Sequence, residues 1–436
     1  MQQARKVEAA AMPQDEAERQ RLLDGFAAVR ARSLALAAPL SPEDMAAQSM
    51  EDASPTKWHL AHTTWFFETF ILRDHQPGYR PFHPAYNFLF NSYYEAVGAR
   101  HARPRRGLLT RPSAEEVLDY RGHVDAAMED FVETAPAEAW QLVAPLLELG
   151  LHHEMQHQEL LLTDLLHLLA QNPMSPAYRE APLQSGRTAP TLAWWQHDGG
   201  LVETGHDGEG FAYDCEGPRH RTWLEPFALA TRPVSNGDWL AFMADGGYRD
   251  PALWLSDGWA TVRAQEWQAP LYWQQDDDGG WTTMTLLGRR QVDPEAPVCH
   301  VSLFEADAYA RWAGARLPTE AELEVAVAGL PVEGNLLSSD LLMPQAGGPS
   351  RGGRPGQLYG DVWEWTQSAY GPYPGFRAPE GAVGEYNGKF MCNQFVLRGG
   401  SCVTPDAQLR PCYRNFFYPH QRWQFTGLRL ARDAQE

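Results

Sequence analysis

Several classes of protein are excluded by what the sequence has little of. It contains five cysteines in 436 residues, an odd number with no Cys-x-x-Cys pair, so neither a disulfide framework nor a zinc ribbon is expected. No stretch approaches the roughly 20 apolar residues of a membrane span, and the first residues lead into no apolar signal region. Basic residues are also scarce: 36 against 56 acidic ones leave a net charge of −20, which repels nucleic acid and anionic membranes. The sequence therefore predicts a soluble, cytoplasmic protein that binds neither.

Length and composition favour two globular domains. The chain exceeds the roughly 100–200 residues of one ordinary domain, and its 44% hydrophobic and 21% charged residues are typical of a folded protein. Up to about residue 170 the pattern is helical, and four helices in this length suggest a bundle. They are indicated by apolar spacing over residues 15–36, by Ser54 before Pro55, by a capping box at Ser113, and by the apolar run over residues 146–169.

The second half has a different pattern. Beyond a segment rich in Asn, Pro, Ser and Gly, short aromatic and β-branched runs alternate with Gly and Pro turns, interrupted by helical segments at 305–312 and 319–328. This predicts an α+β protein. We place the helical bundle at residues 1–175, a linker at 176–195 and a loop-rich domain at 196–436. The 16 tryptophans crowd after residue 190, so most of the aromatic excess is expected in the core of the second domain.

The strongest chemical signal is a histidine cluster in the fourth predicted helix. Residues 152–157 read HHEMQH, and His153 and His157 are four residues apart, so both imidazoles project from one helix face and can bind one metal ion. Residues 153–157 also satisfy the H-E-x-x-H pattern of zinc proteases. The extended form of that pattern needs glycine and histidine where this chain has Leu160 and Thr163, which argues against a protease.

A third ligand is expected from the second predicted helix, which carries His59 and His62. In a helical bundle, metal sites form from side chains on facing helices. Three neutral imidazoles leave open positions on the metal, which is typical of a catalytic site. Zinc that activates water and iron that binds oxygen and a thiolate both remain open, because imidazole binds either metal.

These segments resemble a known enzyme family. The helical half, with WHLAHTTWFFE at residues 58–68 and HEMQH at 153–157, resembles the DinB-like domain of the ergothioneine-biosynthesis sulfoxide synthases (EgtB). The second half resembles their formylglycine-generating-enzyme domain, a C-type-lectin-like fold. The matching segments are PVSN at 233–236, HVS at 300–302, RLPTEAE at 316–322, GDVWEWT at 360–366, RGGS at 398–401 and GLRLA at 427–431. The resemblance implies a DinB-like four-helix bundle followed by a domain of that class.

The resemblance implies an iron(II)- and oxygen-dependent enzyme. Such an enzyme joins the sulfur of cysteine or γ-glutamylcysteine to the imidazole C2 of hercynine, the Nα-trimethylated histidine, as a sulfoxide. The family's three-histidine iron site corresponds to His62, His153 and His157. His59 and His152 then become neighbours of the ligands.

The resemblance also implies catalytic tyrosines. Tyr93 and Tyr94 match the tyrosine pair that one branch of the family uses beside the iron, as proton donor and as an orienting hydrogen bond. The other branch takes its catalytic tyrosine from the C-terminal domain, where Tyr373 is a further candidate.

Substrate contacts are expected from both halves. A quaternary ammonium is recognised mainly through aromatic faces, so we assign Phe416 to the trimethylammonium group, Asn415 to the carboxylate of hercynine and Gln156 to its imidazole. The carboxylate of the thiol substrate needs a cation, and Arg103 and Arg106 follow the tyrosine pair on the same loop.

The identity of the thiol and three alternative functions stay open at this point. Phe417 stands where the actinobacterial branch has an acidic residue that bears on the γ-glutamyl group, which favours free cysteine. The alternatives are a related synthase that joins cysteine to C5 of unmethylated histidine, a zinc-dependent DinB-type thiol transferase or hydrolase, and a non-catalytic ligand-binding module on the lectin-like fold.

Overall fold

The computed structural model describes residues 14–181, 187–347, 353–380, 384 and 386–434. Its longest helices precede residue 171, and the strands of the described residues all follow residue 193. The helices are α1 (Gln14–Ala37), α2 (Pro42–Ala46), α3 (Thr56–Phe67), α4 (Arg73–His75), α5 (Tyr86–Phe90), α6 (Ala114–Thr134), α7 (Ala137–Ala170), α8 (Asn236–Ala244), α9 (Ser256–Ala264), α10 (Leu303–Trp312) and α11 (Glu320–Val327). Within the described ranges, no helix has the length and apolar character needed to cross a bilayer.

Helices α1, α3, α6 and α7 pack against one another as a four-helix bundle. Every residue of α3 is buried, so this helix forms the centre of the bundle. It continues into a π-helical turn over Glu68–Leu72, where the buried Glu68 accepts hydrogen bonds from the hydroxyls of Tyr79 (2.8 Å) and Tyr120 (2.7 Å). Helix α7 is longer than the predicted run over residues 146–169, because its buried face extends back to Trp140.

Of the two serines predicted to cap a helix N-terminus, one does so and the other does not. Ser113 caps α6 and forms the predicted capping box with Glu116. At α3, however, Pro55 occupies the N-cap position without a side-chain cap, so the prediction that Ser54 caps this helix is wrong. Ser54 instead has tertiary partners: its backbone N–H donates to Asp164 (2.8 Å), and its hydroxyl accepts a hydrogen bond from Arg106 (2.9 Å).

Part of the predicted linker, residues 182–186, lies outside the described residues. The part before it contacts both halves of the chain, because the Tyr178 hydroxyl donates to the carbonyl of Leu36 (2.7 Å) and the Tyr178 backbone N–H donates to that of Leu286 (2.8 Å). The domain boundaries at residues 175 and 195 stay predictions.

The strands form four small sheets in the described part of the second half. They are β1 (Trp194–His197), β2 (Gly200–Thr204), β3 (His220–Leu224), β4 (Phe227–Ala230), β5 (Trp273–Gln275), β6 (Trp281–Thr285), β7 (Gly288–Gln291), β8 (Trp363–Ala369), β9 (Phe395–Arg398), β10 (Asn415–Phe417), β11 (Thr426–Gly427) and β12 (Ala431–Asp433). The sheet orders are β1-β4-β12, β2-β3, β5-β6-β7 and β10-β9-β8-β11. All pairs are antiparallel except β8 with β11. The chain is therefore α+β, as predicted.

Several motifs that carry the family resemblance stabilise this second half. Glu364 in β8 and Arg429 form a buried ion pair at 2.8 Å, which joins residues 360–366 to residues 427–431. Ser302 caps α10 through a capping box with Glu305. Since buried charges are tolerated only when they are paired, the Glu364–Arg429 pair explains why both motifs contain a charged residue.

Helix α7 is also the element through which the two halves meet. Hydrogen bonds join it to the strand-rich half, among them Trp363 to Glu159 (2.5 Å), Gln156 to Tyr413 (2.8 Å) and Trp423 to Asp164 (3.1 Å). The helix that carries the histidine pair therefore lies at the junction, and side chains from both halves surround it.

Candidate metal centre and substrate cavity

The predicted ligand His62 lies in the centre of the bundle on α3 and is fully buried. Its ring stacks between Trp58 (centroids 4.6 Å apart) and Trp65 (5.5 Å). Its Nδ1 lies 2.6 Å from the carbonyl of Phe90, and since a carbonyl only accepts, Nδ1 carries the proton. Nε2 is buried without a hydrogen-bond partner, so its lone pair is available to a metal ion.

His153 and His157 face His62 from one side of α7. His153 is buried, and neither of its ring nitrogens has a hydrogen-bond partner. One nitrogen from each of the three histidines lies within 4.8 Å of the others. Buried polar atoms in native proteins are rarely left unpaired, so these nitrogens fit a divalent metal ion that imidazole prefers.

Burial also keeps these imidazoles neutral. It lowers the pKa of His153 to about 3. The pKa values of His62 and His157 are lowered as well, by burial first and then by the neighbouring imidazoles. Metal binding requires a neutral imidazole, so protons do not compete for this site near pH 7.

Glu154, the glutamate of the H-E-x-x-H pattern, does not take part in this cluster. It is buried on another face of α7, where Arg30 (2.8 Å), Arg121 (2.9 Å) and the Ser33 hydroxyl (2.6 Å) donate hydrogen bonds to it. In a zinc protease this glutamate is the general base at the metal. A carboxylate already bound by two guanidinium groups cannot act in that way, which excludes the protease pattern on geometric grounds.

The two other histidines of these segments lie beside the cluster. His59 contacts His157 through the Nδ1 atoms of both rings (2.9 Å). His152 stacks on Phe211 with centroids 3.8 Å apart, and its Nδ1 lies 3.2 Å from the amide oxygen of Gln408. His152 therefore contacts the strand-rich half.

The histidine cluster opens into a cavity of about 460 Å³ between the two halves. All but two of the predicted site residues line it; His62 and Tyr94 lie behind its wall. The lining includes His153, Gln156, His157, Tyr93, Arg103, Arg106, Asn415 and Phe416. A volume of this size accommodates two small substrates.

Tyr93 and Tyr94 differ in their access to this cavity. Their rings stack with centroids 4.7 Å apart, but Tyr94 is fully buried against Trp65 and Phe70 while Tyr93 lines the cavity. Burial raises the pKa of Tyr93 above its ordinary value. Tyr93 is therefore a protonated phenol at neutral pH, positioned by a second phenol behind it.

A third tyrosine, Tyr386, was not predicted from the sequence. It comes from the strand-rich half, and its ring centroid lies 5.6 Å from that of His153 and 6.0 Å from that of Tyr93. Its hydroxyl donates a hydrogen bond to the amide oxygen of Gln156. Tyr386 belongs to no motif, so no sequence signal indicates it. Tyr373, the C-terminal candidate, is not among the cavity residues and instead contacts Glu320 and Arg398.

The two arginines of the loop differ in burial. Arg103 is exposed, whereas only 2% of Arg106 is exposed. The guanidinium of Arg106 donates hydrogen bonds to the hydroxyls of Ser54 (2.9 Å) and Ser92 (3.2 Å) and stacks on the Trp58 ring at 3.3 Å. In the described part of the chain, no carboxylate lies within ion-pair distance of Arg106, and its Nε has no partner. Burial lowers its pKa. Asp164 acts on this guanidinium from beyond ion-pair distance, so the group remains suited to bind an anion that enters the cavity.

The remaining walls are aromatic. Phe416 in β10 stacks on Tyr370 with centroids 4.0 Å apart. Phe417 packs edge-on against Trp423 (5.9 Å) and also lines the cavity. Asn415 presents its side chain beside them. This end of the cavity therefore combines aromatic faces with one amide.

Comparisons with known proteins agree with this architecture. Residues 26–161 match the family model described as the DinB superfamily, and residues 187–344 and 356–434 match the sulfatase-modifying factor enzyme 1-like domain. The predicted DinB-like bundle and formylglycine-generating-enzyme-like domain are thereby confirmed.

Similar proteins match along nearly the whole chain. The hercynine oxygenase of Mycobacterium tuberculosis is 33% identical over 94% of this chain and 97% of its own length. That of Mycolicibacterium smegmatis is 32% identical over 95% of this chain and 99% of its own length. Ergothioneine biosynthesis protein 1 of Schizosaccharomyces pombe is 27% identical over 51% of this chain and 28% of its own length.

Proposed function

This chain belongs to the hercynine oxygenase family, and on that premise we propose that it is an iron(II)- and oxygen-dependent sulfoxide synthase of ergothioneine biosynthesis. The reaction removes the hydrogen from C2 of the hercynine imidazole and the hydrogen from a thiol, and joins carbon to sulfur. One oxygen atom of O2 is bound to the sulfur, and the other leaves as water. The four electrons that reduce O2 come from the two substrates.

The observation that carries this proposal is the common cavity. A cluster of three histidines, of which His153 and His157 line the cavity, adjoins the same space as a buried arginine without an ion pair and an aromatic wall. A metal centre, an anion-binding group and a surface for a quaternary ammonium are what the proposed reaction requires together, because two substrates must meet at one metal.

We assign His62, His153 and His157 as the metal ligands. Iron(II) held by three imidazoles would supply open coordination positions for a thiolate and for dioxygen. The bundle holds these side chains in place, and burial excludes water from two of them.

Tyr93 is assigned as the proton donor and Tyr94 as the group that positions it. Tyr93 lines the cavity as a protonated phenol, and Tyr94 stacks behind it. Tyr386 is a second phenol nearby, but its hydroxyl already donates to Gln156. We therefore assign Tyr386 to the orientation of the Gln156 amide. This arrangement favours the branch of the family with a tandem tyrosine pair.

Hercynine is assigned to the aromatic end of the cavity. Phe416 offers a ring face to the trimethylammonium group, which cannot donate a hydrogen bond. Asn415 is assigned to the carboxylate. The Gln156 amide accepts from Tyr386 and donates one N–H to Tyr413, so its second N–H is left for a nitrogen of the substrate imidazole.

The thiol substrate is assigned to the arginine end. Arg106 provides an unpaired buried cation for its carboxylate, and the exposed Arg103 adds a second positive charge at the same wall. Phe417 packs on Trp423 and offers no group that would bind the charged γ-glutamyl end. We therefore propose free cysteine rather than γ-glutamylcysteine as the preferred thiol.

The test is aerobic incubation of the iron-loaded protein with hercynine and either cysteine or γ-glutamylcysteine, with products identified by mass. We expect a cysteine-derived hercynine sulfoxide, formed only with oxygen, and little product from γ-glutamylcysteine. His62→Ala and His153→Ala should abolish product formation. His167→Ala is the matched control, because His167 lies on α7 outside the cavity and contacts Ser49.

The same assay distinguishes the alternatives. A clear preference for unmethylated histidine over hercynine would indicate the related synthase that acts at C5. Stoichiometric zinc in the purified protein, with no oxygen consumption after iron loading, would indicate a DinB-type transferase or hydrolase. Hercynine binding that survives His62→Ala, without any turnover by the wild-type protein, would indicate a binding module.

A further inference from the structure

A chain of hydrogen-bonded groups leads away from the metal cluster at His157. His157 Nδ1 lies 2.9 Å from His59 Nδ1, and His59 Nε2 lies 3.1 Å from the Asp164 carboxylate. His59 and Asp164 are both buried. Neither residue is assigned as a ligand, and although His59 lies within the motif at residues 58–68, neither side chain has an assigned role, so their arrangement calls for a physical explanation.

The direction of each hydrogen bond follows from the groups around Asp164. Its two carboxylate oxygens accept from the backbone N–H of Ser54 (2.8 Å) and from the indole N–H of Trp423 (3.1 Å). Both of those groups can only donate, so Asp164 acts as the acceptor. His59 Nε2 consequently carries a proton and donates it to Asp164.

The proton on the metal ligand His157 can be located in the same way. A neutral imidazole that donates through Nε2 accepts through Nδ1. The contact between the two Nδ1 atoms therefore requires that His157 carries its proton on Nδ1 and donates to His59. His157 Nε2 is then left with its lone pair, which is the form that binds a metal.

We propose that Asp164 and His59 are positioning residues that hold His157 in the tautomer and ring orientation required for metal binding. The proposal rests on the proposed metal site, but it does not depend on which reaction takes place there. The three ligands differ in this respect. A backbone carbonyl orients His62, whereas neither ring nitrogen of His153 has a hydrogen-bond partner. Only His157, among these described ligands, is connected to a carboxylate.

This chain of contacts crosses the junction between the two halves. Trp423 belongs to the strand-rich half, whereas Asp164, His59 and His157 belong to the bundle. The indole N–H occupies one carboxylate oxygen and leaves the other for His59 and Ser54. The position of the Asp164 carboxylate beside His59 therefore involves a group from the second half.

The test measures cobalt(II) affinity by chelator competition in the full-length protein, together with the cobalt absorption spectrum. His59→Leu removes the acceptor for His157 Nδ1 and should weaken binding about 10- to 100-fold, which is the usual effect of losing such a partner. His59→Gln keeps an acceptor oxygen and should bind within about threefold of wild type, because hydrogen-bond acceptance is what the position requires. Asp164→Asn offers one acceptor oxygen to three donors and should weaken binding about tenfold.

Controls separate this role from packing. His167→Leu, on the same helix but outside the cavity, should bind cobalt as wild type does, and thermal unfolding of each metal-free variant reports whether it folds. The proposal is overturned if His59→Leu binds as wild type does, or if His59→Gln is as weak as His59→Leu. Should His59→Leu fail to fold, wild-type affinity in Asp164→Asn would overturn it. If the variants bind cobalt as wild type does while the wild-type protein forms the sulfoxide, the positioning role alone is rejected. If the variants lose cobalt affinity as expected but the wild-type protein forms no sulfoxide, the proposed reaction alone is rejected.

Discussion

Two buried charges near the histidine cluster differ in whether a residue of opposite charge contacts them directly. Glu154 is bound by Arg30 and Arg121 and completes an internal network. Arg106 is equally buried but has only hydroxyl partners and the Trp58 ring. Because an isolated buried charge is costly, the first residue is best explained by stability and the second by a ligand.

Arg106→Gln should therefore impair thiol binding without destabilising the protein. We expect the KM for cysteine to rise about 10- to 100-fold, since a charge-assisted hydrogen bond contributes about 1.5–3 kcal/mol, while the KM for hercynine changes little. The free energy of unfolding of the metal-free protein should not decrease, because the variant removes a buried charge that no carboxylate contacts. Steady-state kinetics and chemical denaturation measure the two effects.

The matched control for that variant is Arg105→Gln. Arg105 is exposed and does not line the cavity, so both quantities should stay at their wild-type values. An unchanged KM for cysteine in Arg106→Gln, combined with lower stability, would make Arg106 a structural residue.

Glu154→Gln should destabilise the protein in a pH-dependent manner. Burial alone would raise the pKa of Glu154, but Arg30 and Arg121 outweigh it and lower the pKa to about 2. A carboxyl group with a lowered pKa stabilises the fold above its unfolded value near 4.5 and loses that contribution as the pH falls toward 2, here about 3 kcal/mol. At pH 7 the variant should lose about 3–5 kcal/mol, because Arg121 loses its counter-charge and Arg30 is left with Asp125.

Denaturation at pH 7 and at pH 3 checks this prediction, since the difference between wild type and variant should be smaller at pH 3. Glu148→Gln is the control on the same helix, because Glu148 pairs with the exposed Arg21. Such surface pairs contribute about 0–1 kcal/mol. An equal loss at both pH values would contradict the assigned cause.

At the scale of elements, the distance between α3 and α7 determines whether the three histidines meet. The two helices are in close contact at Gly150, where an added Cβ would lie 2.4 Å from Phe67 Cε1 and 3.1 Å from Phe66 Cε1. The glycine therefore permits the approach of α7 to the aromatic face of α3. His153 lies one turn further along α7, so the same contact sets the geometry of the cluster.

Gly150→Ala should push these two helices apart. We expect a loss of about 1–3 kcal/mol in stability from overpacking and weaker cobalt binding, because the ligands on the two helices no longer converge. Gly122→Ala on α6 is the control, since nothing lies within 4 Å of its added Cβ. That substitution should stabilise the helix by about 1 kcal/mol. Thermal unfolding and cobalt titration distinguish the two variants. Unchanged metal affinity in Gly150→Ala would show that the contact at Gly150 does not set the geometry of the histidine cluster.

At the scale of the whole molecule, the two halves are held together by hydrogen bonds to α7. The indole N–H of Trp363 donates to the carboxylate of Glu159 (2.5 Å). Burial raises the pKa of Glu159, and this hydrogen bond and its neighbours offset part of that increase. The two halves contact each other through such polar groups at the cavity wall. The cavity therefore forms only when the two halves are packed together. We therefore expect the two halves to unfold together.

Trp363→Phe should reveal this coupling. Loss of a donor to the partly buried Glu159 should cost about 1–3 kcal/mol. Two probes report on different halves: far-UV circular dichroism follows mainly the helical bundle, and fluorescence follows the second half, where 13 of the 16 tryptophans lie. Both midpoints should shift together. Trp223→Phe, an exposed hairpin residue, should shift neither, and a shift of fluorescence alone would show that the halves unfold independently.

The sequence by itself determined the features that depend on short spacing. Neighbouring residues alone determine three such features. They are the capping box at Ser113, the i, i+4 pair of His153 and His157, and the change from a helical to a strand pattern along the chain. The family resemblance selected His62 rather than His59 as the third ligand and added the tyrosine pair, because motifs identify residues that are distant in the chain.

Only the tertiary structure decided which groups meet across the cavity. Tyr386 and Trp423 contact α7 from more than 200 residues away in the chain, and no local pattern encodes such a contact. It also decided that Ser54 binds Arg106 and Asp164 instead of capping α3, and that Glu154 faces two arginines instead of the metal. The physical reason is that hydrogen-bond direction and charge compensation depend on which groups share a buried space, and that is settled only when the two halves pack together.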